Sequence, residues 1–104
     1  MAKPQQQVLL DLNNPMFQKQ LFALDRDEVV LVFAAFEKLT KLDWAAFQKH
    51  TGFKWEDAGH KTRAPNGSSI KSLRVTQKVR ALAYREGDFL RFLSLHFDHD
   101  GAYR

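Results

Sequence analysis

Three runs near the C-terminus constrain the fold more than any other feature of the chain. IKSLRV (Ile70–Val75), VRALAYR (Val79–Arg85) and FLRFLSLHF (Phe89–Phe97) are each of strand length, and only TQK and EGD separate them. Links this short join neighbouring strands as a meander, because a parallel crossover needs a dozen residues or more. Gly87, between Glu86 and Asp88, supplies the residue that can take positive φ in a tight hairpin turn.

The N-terminal half reads differently. VLLDL (Val8–Leu12) is too brief for a helix and is expected to be a first strand. Asn14 is placed to cap a helix whose first position is Pro15, where the missing N–H costs nothing. That helix, from about Pro15 to Leu24, carries Phe17, Leu21 and Leu24 at helical spacing. Asp25 and Glu28 form an Asp variant of the capping box ahead of a second helix, reaching to about Leu42. Its apolar stripe is Val29, Val32, Phe33, Phe36 and Leu39, with Glu37, Lys38 and Lys41 on the far side. Asp43 caps a short helical segment in WAAFQKH, and Gly52 is a natural stop. The next stretch, FKWEDAGHKTRAPNGSS, has the composition of a loop or hairpin region, with Trp55 as its anchor to the core. The expected architecture is an α+β fold: an N-terminal strand and helices packed on one face of a small, mostly antiparallel sheet that ends in a three-strand meander. The opposite face must meet solvent or bind something.

A length of 104 residues allows one domain, 1–104, and nine phenylalanines with two tryptophans give its core bulk. Cysteine is absent, which excludes disulfides, thiol chemistry and thiolate ligands. The opening MAKPQQQ lacks an apolar h-region, and no run approaches membrane-spanning length, so a cytoplasmic protein with no membrane partner is expected. Charge is unevenly placed. Residues 1–52 balance six basic against six acidic side chains, whereas Lys61 to Arg91 holds eight basic residues against Glu86 and Asp88. Such a one-sided field favours an anionic partner, nucleic acid first, although a solvated basic sheet face gives the same count.

The closing stretch HFDHDGAYR (His96–Arg104) raises the question of chemistry. A metal site is one answer, but zinc needs three or four converging ligands, and neither His50 nor His60 lies in a second ligand cluster of recognisable spacing. No metal or other cofactor is therefore expected. Acid–base work is the second answer: His99 with Tyr103 for proton transfer, Arg74 and Arg80 as fixed cations, and His96 as an orienting or substrate-contacting group. That set suits cleavage of an RNA backbone, in which guanidiniums hold the charge building on phosphate. The third answer is a polar exit from the last strand.

Residues Ile70–Tyr103, with the order LRV…VRALAYR…HDGAY, resemble the C-terminal half of the RelE/ParE superfamily of bacterial toxins, and the two N-terminal helices fit loosely as well. The resemblance implies the toxin of a toxin–antitoxin pair, partnered by a small antitoxin protein. RelE-like members cut mRNA on the ribosome and so inhibit translation; ParE-like members bind DNA gyrase and lack the cleavage residues. Arg74 falls on the basic position of L-R-V, Arg80 on the arginine that contacts the scissile phosphate, His96 and His99 in the basic or histidine-bearing loop, and Tyr103 on the terminal aromatic. Ser72 and Phe97 depart from the pattern, standing where a lysine and an arginine are found in some members. A metal-independent mRNA endoribonuclease is thus the expected activity, with Lys71, Lys78, Arg85, Arg91 and His96 as further substrate contacts. The alternative is a binding-only, ParE-like inhibitor of gyrase or another partner. A nucleic-acid module unrelated to toxins would instead need exposed stacking aromatics; Tyr84 and Phe92 are the candidates, and core packing suits both better.

Overall fold

The computed structural model describes residues 6–59 and 61–97. Strand β1 (Leu9–Asp11) leads into helices α1 (Pro15–Phe22), α2 (Arg26–Thr40) and α3 (Trp44–Lys49). Strands β2 (Glu56–Asp57), β3 (Lys71–Arg74), β4 (Val79–Glu86) and β5 (Phe89–Phe97) follow. One sheet contains all five strands in the order β1-β5-β4-β3-β2, with β1 parallel to β5 and every other pair antiparallel. The expected α+β architecture and its C-terminal meander are what the chain adopts. The loop region adds one unanticipated element, since Glu56–Asp57 pairs with Lys71–Ser72 along the sheet edge.

Local chemistry starts each helix. Asn14 Oδ1 accepts from the N–H groups of Met16 and Phe17, and Asp43 Oδ1 accepts from that of Ala46. Asp25 Oδ1 likewise accepts from Glu28 N–H, but the capping box stops there. Glu28 is buried, and its carboxylate instead accepts a hydrogen bond from the Thr76 hydroxyl in the β3–β4 turn at 3.3 Å. A tertiary partner has replaced the local one. In the hairpin between β4 and β5, Gly87 alone takes positive φ (62°), as the first central residue of a type II′ turn requires. The Asp88 carbonyl beside it accepts from both Leu9 N–H and Trp44 Nε1, tying β1 and α3 to the turn.

The main core lies between the helices and one sheet face. Phe17 and Phe36 meet Phe92 of β5 with ring centroids 5.0 and 5.3 Å away, and Leu73, Val79, Ala81, Ala83, Leu90 and Leu95 complete the sheet side. Trp55 anchors its loop as expected, 5.2 Å from Phe47 and 6.1 Å from Trp44. The helix stripe needs one correction. Val32, Phe36 and Leu39 are buried, whereas Phe33 is 52% exposed. A helix turns about 100° per residue, so the seam through Glu28, Val32, Phe36 and Leu39 leaves Phe33 on the flank. There its ring lies 6.0 Å from that of Phe36. A smaller cluster of Ala64, Ile70 and Tyr84, with Ala58, Leu82 and Leu93 packed on it, covers part of the opposite face. Tyr84 and Phe92 are therefore packing residues, not exposed stacking platforms.

Candidate functional site

Strand alternation decides which basic residues meet. Leu73, Val75, Val79 and Ala81 point into the main core, so Arg74 and Arg80 project from the other face. The register sets Arg74 opposite Arg80, and Arg80 opposite His96. Three strands thus contribute one row of basic side chains across the open face. The adjacent row is Ser72, Leu82 and Ser94, and Ser94 Oγ lies 2.8 Å from His96 Nε2. That contact holds the imidazole from its own strand.

A β-bulge makes the row possible. Ala83 pairs with Phe92 but Leu82 pairs with Ser94, which leaves Leu93 as an extra residue in β5. Without it Arg80 would face Leu95, and His96 would sit opposite Val79 on the helix side. Sequence reasoning missed this feature, although a signal exists. From Leu90 onward the apolar residues of FLRFLSLHF occupy even positions to Phe92 and odd positions from Leu93, a change of phase that marks an inserted residue.

The row carries an electrostatic cost. Like charges directly opposite in a sheet are destabilising by up to about 1 kcal/mol. Arg74 Nε is also buried without a hydrogen-bond partner among the described residues. An anion laid across the row would be attracted by both guanidiniums.

Other expected contacts lie elsewhere. Lys71 pairs with Ala83 and so shares the helix-side face with Leu73, away from the row. Lys78 is exposed in the turn before β4. Arg85 stacks over Trp44, its guanidinium carbon 4.2 Å from the ring centroid, while Nε donates to the Gly87 carbonyl at 2.7 Å. Arg91 donates through Nε to Glu86 at 2.7 Å and through Nη1 to Asp11. His99 and Tyr103 lie outside the described residues. Among the described residues no group of three or more His, Cys, Asp or Glu side chains comes together, and no helix is long and apolar enough to cross a membrane.

The Arg91 pair has a measurable consequence. Burial pushes the Asp11 carboxyl upward, but the Asn13 N–H and the Arg91 guanidinium outweigh it and hold the group below its ordinary value. A depressed carboxylate contributes stability above its unfolded pKa of about 3.9 and loses it as pH falls through the folded value. Urea unfolding of Asp11→Asn should show a lower midpoint than the parent at pH 7, with the gap closing in acid. A gap independent of pH would assign the effect to something other than this charge.

No family model and no curated protein matches the chain. Among solved structures it is similar to the crystal structure of a copper-bound mutant toxin from Helicobacter pylori. The two share 18% identity and a TM-score of 0.45 over 93% of this chain and 98% of that one.

Proposed function

We propose that the protein is the toxin of a toxin–antitoxin pair, a cytoplasmic endoribonuclease that cuts mRNA on the ribosome and is silenced by a small antitoxin. The observation that supports this reading is the row of Arg74, Arg80 and His96 on the face that the helices leave open. Two adjacent guanidiniums offer planar, bidentate donors to phosphate oxygens and stabilise the negative charge that grows there during cleavage. In the reaction the 2′-oxygen attacks its own phosphorus and the bond to the 5′-oxygen breaks. One group accepts the 2′-hydroxyl proton and another donates a proton to the departing oxygen. His99 and Tyr103 take those two roles, and His96 orients the substrate. His99 follows Phe97 by two residues, and two residues of chain span at most about 7 Å. Phe97 is paired with Val79, the neighbour of Arg80, so the chain leaves β5 at the end of the sheet that carries the row.

The chemistry specifies its own products. Incubation with translating ribosomes should give mRNA fragments that end in a 2′,3′-cyclic phosphate, with a 5′-hydroxyl on the downstream piece. Mass spectrometry of the termini reads both ends. Fragments with 5′-phosphates would mean attack by water and would defeat the proposed roles. Growth arrest with intact mRNA would favour the binding-only reading, in which the basic face serves gyrase or another protein.

A further inference from the structure

A second cluster of donors lies round the edge of the sheet from the row. Lys38 from α2, His50 at the end of α3 and Arg74 from β3 line one groove of about 460 Å³, together with Gly52, Phe53 and the turn 75–77. We propose that this groove binds a phosphate of the RNA backbone that flanks the scissile one, so that the strand continues past Arg74 instead of ending at the row. The inference rests on the nuclease reading above.

Three observations support it. The lining residues include no carboxylate, whereas the neighbouring grooves set Asp25 or Glu28 against any anion. His50 is preorganised: its Nδ1 accepts from Gly52 N–H at 3.1 Å, so the neutral ring carries its proton on Nε2 as a donor. The ring also packs on Phe53 at 4.7 Å, and a Cβ at position 52 would lie 3.0 Å from His50 Cε1, closer than ordinary contact. Lastly, Arg74 stands opposite Arg80 in the register and also borders this groove. One residue thus links the two anion sites. Lys38, whose Nζ lies 5.9 Å from the Phe53 ring centroid, supplies a mobile point charge at the rim.

The test uses two probes on the whole protein. Inorganic pyrophosphate, titrated into isotopically labelled wild type, should shift the His50 ring resonances in NMR spectra, and Lys38→Gln should weaken that response about tenfold, the usual size of a lost charge-assisted hydrogen bond. Fluorescent single-stranded RNA should bind Lys38→Gln and His50→Ala more weakly than wild type when it is long enough to leave the row, while a dinucleotide binds all three alike. For Lys38→Gln the slope of log affinity against log salt should fall by about 0.7, the share of one phosphate contact in single-stranded nucleic acid. Thermal melting confirms that each variant is folded. Absence of any His50 shift with pyrophosphate would overturn the anion site, whether or not the protein cuts RNA. A pyrophosphate response with unchanged RNA affinity and salt slope would overturn the RNA path and leave a site for free phosphate. Failure of wild type to bind RNA while His50 still responds would remove the nuclease reading and this extension with it, and would keep only the free-phosphate site.

Discussion

Arg80→Ala should lower the rate of mRNA cleavage on translating ribosomes by about 10²–10³-fold, the usual loss when one preorganised donor to a developing oxyanion is removed. Arg80 is the middle of the row, with Arg74 on one side and His96 on the other, so a phosphate bridging the three strands must pass over it. Arg80→Lys keeps the charge but loses the planar fork that grips two oxygens, and its rate should lie far nearer to alanine than to the parent. Thermal melting of both variants separates a loss of cutting from a loss of fold. A stable protein that has stopped cutting is the expected phenotype. His99→Ala should likewise stop cleavage if proton transfer runs through it. Full cutting by both variants would remove the row and the closing segment from consideration and leave HFDHDGAYR as a polar exit from β5.

Much of the fold was legible because local rules and tertiary structure agree. The short connections at TQK and EGD dictate the meander, and Asn14, Asp25 and Asp43 each accept a first-turn N–H as helix caps do. Failures occur where a distant partner intervenes. Glu28 leaves its capping box for Thr76, which stands 48 residues away in sequence. Glu56–Asp57 becomes a strand only because the edge of β3 offers it unpaired groups, which no periodicity in ED could reveal. The site was half legible. Arg74 and Arg80 stand out by composition and spacing, but their meeting with His96 depends on the bulge at Leu93, since period-two counting without it sends the histidine to the other face. Arg85 and Arg91 show the converse. By charge alone they read as substrate contacts, yet Trp44, Asp11 and Glu86 engage them in ways that sequence distance hides.

The two phenylalanines of α2 separate a seam from its flank. Phe36 is 6% exposed and its ring meets Phe17 and Phe92 at 6.3 and 5.3 Å, so Phe36→Ala opens a void between two helices and the sheet. The expected loss is about 3–5 kcal/mol, lost transfer energy plus an unfilled cavity. A domain of this size has about 5–15 kcal/mol in total, so soluble yield should fall sharply and the unfolding midpoint should move to much lower denaturant. Phe33, only three residues earlier, touches Phe36 from the flank, and Phe33→Ala should change stability by about 0.5 kcal/mol or less, as exposed positions generally do. Parallel urea titrations of both variants measure the contrast directly. Equal losses would mean that α2 presents a broader face to the core than the seam through Val32, Phe36 and Leu39. The distinction reaches the site as well, because the Phe92 ring that Phe36 supports lies immediately before the bulge that turns His96 toward Arg80. If Phe36 braces that segment, Phe36→Ala should also weaken cleavage per folded molecule, while Phe33→Ala should leave it at the parental rate.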